Sequence, residues 1–132
     1  MKNKIFIFDL DDTLYKEIDF LYSAYREIAG WIELKFSLKG IYAFMLETYK
    51  EQADVFSRLI DTYDLSLTKA DLLSIYRSHR PNIRLELDTL KALEVLKQDF
   101  ILGMITDGRS ITQRNKFQAL GLEQFIENEN LV

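Results

Sequence analysis

Cysteine is absent from this 132-residue chain, so neither a disulfide nor a thiolate metal site is open to it. Proline occurs once and glycine five times, and no flexible or proline-stiffened linker divides the sequence. Basic residues are in deficit. Seventeen Lys and Arg face 21 Asp and Glu, and the net charge of −4 argues against non-specific binding to nucleic acid or anionic membranes. No apolar run is long enough to span a bilayer. The opening Met1-Lys2-Asn3-Lys4 followed by apolar residues mimics a secretory signal, but Asp9 interrupts the run too early, and a cytoplasmic location follows by elimination. Internal repeats and low-complexity tracts are also missing. What the chain does have is 48% hydrophobic residues, ample for the core of one domain.

The most informative stretch is Ile5-Phe6-Ile7-Phe8-Asp9-Leu10-Asp11-Asp12-Thr13-Leu14. Its apolar half, rich in β-branched and aromatic side chains, predicts a strand buried on both faces in a helix-covered parallel sheet. Carboxylates belong just past the carboxyl end of such a strand, where ligands bind in open α/β sheets. An Asp-rich turn by itself would read as a solvated loop or helix start. A calcium loop fits poorly, because Thr13-Leu14-Tyr15 does not supply the required glycine turn. A second apolar run, Phe100-Ile101-Leu102-Gly103-Met104-Ile105, ends in Thr106-Asp107-Gly108-Arg109. Gly108 permits close backbone approach. Ser110 is expected to cap the next helix, whose positive end favours an anion. Arg109 reads as a solvated surface residue.

An apolar strand ending in Asp-x-Asp-x-Thr-Leu, joined to a later strand ending in Thr-Asp-Gly, resembles the first two signatures of the haloacid dehalogenase (HAD) superfamily. Most of its members are phosphohydrolases. The resemblance implies that Asp9 is the nucleophile, attacking phosphorus to form an aspartyl-phosphate. Asp11 would protonate the leaving oxygen and then deprotonate the attacking water. Mg²⁺ would be held by the side chain of Asp9 and the backbone carbonyl of Asp11. The hydroxyl of Thr106, with the backbone N–H groups of Asp107 and Gly108, would bind the phosphoryl oxygens. Family members that attack carbon lack an acid at the second position, so Asp11 favours phosphoryl transfer, with a small phosphorylated metabolite as substrate.

Between the two motifs, from about Glu17 to His79, the pattern is helical. Ile18, Leu21, Tyr25, Ile28 and Ile32 form one apolar stripe. Ile41, Phe44, Met45 and Thr48 open another segment after Gly40, and Val55, Phe56, Leu59 and Ile60 continue it. Thr68-Lys69-Ala70-Asp71 predicts a capping box, and Pro81 a stop. The many aromatics could suggest base stacking, but without a basic excess they read as core. His79, the only histidine, reads as a helix-end residue at a hinge or substrate rim rather than a catalytic one. The implied fold is α/β: a partial Rossmann-like HAD core, parallel strands flanked by helices, in residues 1–14 and 82–132, with an all-helical C1 cap inserted at 15–81. Asp88-Thr89 can start the helix leading to the second strand. Gly121 ends the following one, and Phe125-Ile126 begins a third strand.

Two further signatures expected of the family are not found: a lysine in a Gly-x-x-Lys-Pro setting, and a Gly-Asp-rich strand end that completes the Mg²⁺ shell. Lys116 lies mid-helix without a following proline and reads as a solvated residue. The chain therefore resembles an amino-terminal portion of the family's core, with weak or no activity expected of it alone. Its first strand should present an open apolar edge, which a homodimer would cover. Two rival readings are a non-catalytic interaction module built on a half-core and a receiver-like phospho-acceptor domain. The receiver needs an Asp ending a central strand near mid-chain, and Asp54 instead has helical, polar surroundings.

Overall fold

The two apolar runs flanking the helical stretch become neighbouring parallel strands. The structure, a computed structural model, describes residues 4–131; Met1–Asn3 and Val132, assigned above to the ends of the core, lie outside the described residues. In chain order the elements are β1 (Ile5–Asp9), α1 (Glu17–Phe36), α2 (Ile41–Lys50), α3 (Val55–Tyr63), α4 (Lys69–Ser78), α5 (Leu87–Asp99), β2 (Ile101–Ile105), α6 (Ser110–Ala119), a 3₁₀ turn (Leu122–Gln124) and β3 (Ile126–Leu131). They gather into two units, Met1–Leu21 with Arg80–Val132, and Tyr22–His79. Among the described residues no helix is long and apolar enough to cross a membrane.

The first unit is an α/β layer whose sheet runs β1-β2-β3, parallel throughout. Ile5 pairs with Ile101, Phe6 with Leu102, Ile7 with Gly103, Phe8 with Met104 and Asp9 with Ile105. Strand side chains alternate between faces, so Phe6, Phe8, Leu102 and Met104 share one face. Leu102 and Met104 are buried there, and the Phe6 and Phe8 rings pack 4.9 Å apart. The other face carries Ile5, Ile7, Ile101 and Ile105, all exposed, with Ile5 at 64% and Ile7 at 54%. The expectation that β1 is buried on both faces is therefore wrong. The reason is topological: both crossovers step the same way across the sheet, and right-handed connections then lay their helices on one face. The expected open edge of β1 is present, since β1 pairs only with β2 among the described strands.

The second unit is all-helical. Tyr25, Ile28 and Ile32 of the α1 stripe are buried, with Ile41, Met45, Val55, Phe56, Leu59 and Leu72 from the helices that follow. Tyr25 meets Tyr49, Phe56 and Tyr76 with ring centroids 6.2–6.4 Å apart, so these aromatics are core and not a stacking platform. Burial pushes the Tyr25 hydroxyl up to about 12, with Tyr76 and Tyr49 adding to the effect. The capping box forms as expected, the Thr68 hydroxyl accepting the Asp71 N–H and the Asp71 carboxylate the Thr68 N–H. Asp54 caps α3 and pairs with Lys69, a structural position unlike that of a phospho-acceptor.

His79 stands at the helix end expected of it, as the C-cap of α4, and is buried. Its Nδ1 lies 2.8 Å from the Tyr76 carbonyl, which can only accept, so Nδ1 bears the proton and Nε2 accepts the Ser23 hydroxyl at 3.1 Å. Burial pulls its pKa below 6.5, against the opposing pull of the Tyr76 carbonyl. The unfolded chain therefore takes up this proton at a higher pH than the folded one. Stability contributed by neutral His79 is complete above pH about 6.5 and declines as pH falls through 6.5 toward the folded-state value. Urea unfolding of wild type and His79→Gln at pH 7.5 and pH 5.5 checks this: the wild type should lose more stability on acidification than the variant.

Candidate active site

Because Asp9 pairs with Ile105, the residues that follow β1 and β2 leave the sheet side by side. An open cavity of about 380 Å³ forms there, lined by Ile7, Phe8, Asp9, Ile105, Thr106 and Asp107. Asp9 is exposed at its edge, with Oδ1 accepting the Leu10 N–H at 2.9 Å. The chain then turns sharply. The N–H groups of Thr13 and Leu14 both donate to the Leu10 carbonyl, Asp12 adopts a positive φ of 59°, and its carboxylate accepts the Glu17 N–H at 2.8 Å, steering the chain into α1.

Asp11 is held from three sides. Its Oδ1 accepts from the Lys116 ammonium at 2.8 Å and the Tyr15 hydroxyl at 2.7 Å, and its Oδ2 from the Gln113 amide at 3.0 Å. The same Gln113 Nε2 also donates to the Thr106 hydroxyl at 2.5 Å, so one amide bridges the two motifs. Burial alone would raise the Asp11 carboxyl, but the hydrogen bonds from Lys116, Tyr15 and Gln113 outweigh it and hold the group below its usual range. The acid–base candidate is thus an oriented carboxylate.

Lys116 corrects the sequence reading. It is 4% exposed, with its ammonium 4.4 Å from the Phe20 ring centroid and 5.7 Å from that of Tyr15, so aromatic faces and one carboxylate take the place of water. Gln113 was not singled out in the sequence. The signal for both was helical spacing: Gln113 lies four residues before Phe117, and Lys116 four before Leu120, on the buried face. Ser110 does not cap α6. The helix begins one residue earlier than a Ser110 cap would place it, with the Gln113 N–H bonding the Arg109 carbonyl, so the N-cap is Arg109, which makes no side-chain capping bond.

For Mg²⁺ the chemistry on offer is hard oxygen: the exposed Asp9 carboxylate and the backbone carbonyl of Asp11, whose side chain is taken by Lys116. Among the described residues no cluster of three or more acidic or histidine side chains forms. That set fits an ion that binds through one or two carboxylates and completes its shell with water and substrate phosphate.

The family model described as haloacid dehalogenase-like hydrolase matches residues 6–128. The chain belongs to this family. A glyceraldehyde 3-phosphate phosphatase of Methanocaldococcus jannaschii is 27% identical over 134 residues, covering 92% of this chain and 59% of that protein. The HAD-hydrolase YfnB from Bacillus subtilis, solved bound to magnesium, superposes with a TM-score of 0.58 at 19% identity over 96% of this chain and 62% of its own. A 2-haloacid dehalogenase from Pseudomonas syringae gives 0.53 at 20% identity over 96% and 62%. These structures share the fold, and the chain spans about three fifths of the length of each relative.

Gly108 ties backbone to site. Its φ of 132° is one that L side chains rarely adopt, and an added Cβ would lie 3.1 Å from Gln113 Cδ. Gly108→Ala should therefore cost about 1–3 kcal/mol of stability and displace Gln113. Gly30→Ala, in mid-helix with nothing within 4 Å of the added methyl, should be neutral or stabilising. Urea midpoints of the two variants check the contrast.

Proposed function

We propose that this chain carries the nucleophile, the acid–base group and a phosphate-binding loop of a Mg²⁺-dependent phosphomonoester hydrolase. The observation that carries the reading is the cavity in which Asp9 and Thr106 lie together at the carboxyl ends of β1 and β2. Asp9 attacks phosphorus. A P–O bond forms to Asp9 as the bond to the alcohol oxygen breaks; Asp11, an ionised carboxylate in the resting site, takes up a proton from solvent as substrate binds and passes it to the departing oxygen. Asp11 then removes a proton from water, the water oxygen bonds to phosphorus, the P–O bond to Asp9 breaks, and inorganic phosphate leaves. Thr106 and the N–H groups of Asp107 and Gly108 bind the phosphoryl oxygens. Mg²⁺, held by the Asp9 carboxylate and the Asp11 carbonyl, would offset negative charge on the phosphoryl group.

A small phosphorylated metabolite in the cytoplasm is the substrate class this reading favours, supported by the phosphatase relative. The helical insert at 15–81 is assigned the part of a cap that selects it and excludes water. The sequence has neither a Gly-x-x-Lys-Pro lysine nor a later acidic strand end. Each missing electrostatic group is worth a few kcal/mol, and turnover should be slow by roughly four orders of magnitude. Hydrolysis of p-nitrophenyl phosphate should be weak, Mg²⁺-dependent and abolished by Asp9→Asn; turnover that survives this substitution overturns the assignment of the nucleophile.

The open edge of β1 and the Ile5, Ile7, Ile101, Ile105 face support a homodimer, with two β1 edges pairing antiparallel about a twofold axis. Light scattering at micromolar concentration should give about twice the chain mass, and Ile7→Lys should return the monomer. A monomeric wild type removes this part of the proposal.

A further inference from the structure

Lys116 is a buried cation that the reaction above leaves without a task. Desolvating an ammonium costs several kcal/mol, and a buried ion pair often stabilises no better than apolar residues of similar volume. The position lies on the packed face of α6, where Phe117 and Leu120 are apolar. A leucine or methionine would suffice there if filling space were the only requirement. Instead the ammonium meets Asp11 Oδ1, and one turn earlier the Gln113 amide reaches both Asp11 Oδ2 and Thr106 Oγ1. Residues three apart on a helix share a face, so a single rigid element holds both motifs. Gln113 is itself confined, 6% exposed and packed against Gly108, which has no side chain to displace it.

We propose that Lys116 and Gln113 are positioning residues, which lock the Asp11 carboxylate by both oxygens and set it in a fixed frame with the Thr106 hydroxyl. With both oxygens bonded, Asp11 has one rotamer, and its distance to a phosphoryl group on Thr106 is set by α6 rather than by the mobile options of the Asp-rich loop. The inference rests on the reading of Asp11 as the acid–base group, and a misplacement of about 1 Å in such a group can cost a hundredfold in rate.

Leaving-group dependence tests it. An alkyl leaving group needs the proton from Asp11 far more than p-nitrophenolate does. The full chain and its Lys116→Met, Lys116→Arg and Gln113→Leu variants are assayed with Mg²⁺ on glycerol 2-phosphate and p-nitrophenyl phosphate, alongside ¹H–¹⁵N spectra of the Thr106 and Gly108 amides. In Lys116→Met and Gln113→Leu, kcat for the alkyl ester should fall about tenfold further than for the aryl ester, with KM unchanged within about twofold. Lys116→Arg should recover most of the loss, and the Thr106 amide should shift in Lys116→Met although the two residues are not bonded.

Equal falls on both esters mean a merely structural role and overturn the proposal. So does a rise in KM at constant kcat, which would make Lys116 a phosphate ligand. If Lys116→Met does not fold, Gln113→Leu decides by the same criteria. A wild-type chain with no hydrolysis of either ester removes the weak turnover proposed for this chain alone. Positioning is then decided by the spectra alone, where unmoved Thr106 and Gly108 amides overturn it and shifted ones support it.

Discussion

Asp9 sits opposite Ile105, and from that register the rest of the site follows. A slip of one residue would turn every side chain of β1 to the other face of the sheet. Phe6 and Phe8 would lose their places beside Leu102 and Met104, and the ends of the two strands would no longer release their loops together. In the observed register the Asp-rich turn and the Thr106 loop leave the sheet side by side. α6, launched from the second loop, then runs back far enough for Gln113 and Lys116 to reach Asp11. Residues about a hundred positions apart in sequence are joined through five backbone pairings.

The same topology explains the least comfortable feature of the first unit. Parallel strands have crossover helices, and a purely parallel sheet is ordinarily covered on both faces. Here both crossovers travel from β1 towards β3, so only the Leu102 and Met104 face is covered. Burying apolar surface is worth about 25 cal/mol per Å², and the exposed isoleucines of β1 and β2 forgo that gain. The relatives have about two fifths more of their length beyond what this chain spans. A covering for this face is a physical requirement of the sheet, whatever supplies it.

How far the sequence revealed this depends on the range of the interaction. The helices and their caps rest on local chemistry: Thr68 and Asp71 are three residues apart, and Gly121, at a φ of 67°, follows the last turn of α6. β1, β2 and the two motifs were legible because an apolar run ending in carboxylates or Thr-Asp-Gly has few other uses. The burial of β1 was not, since it depends on which way the crossovers step. Lys116 was misread because a lysine in mid-helix is usually solvated, and the partners that reverse that preference, Asp11, Tyr15 and Phe20, are all remote in sequence. Helical spacing from Phe117 and Leu120 placed it on the inner face all the same. Residue type suggested one environment and position another, and position prevailed because the Asp11 carboxylate was there to meet the charge.

That compensation bears on what the site can bind. Asp9, Asp11 and Asp12 crowd three carboxylates into four residues, a poor reception for a phosphoryl dianion. Asp12 is turned to the amino end of α1, where the helix dipole and the Glu17 N–H favour its charge. Asp11 has its charge met by Lys116 at 2.8 Å, in surroundings that screen the pair less than water would. The carboxylate left exposed to the cavity is Asp9, the nucleophile of the proposed reaction, whose charge Mg²⁺ would offset. Two of the three acids have their charge met within the fold, and the third faces the cavity.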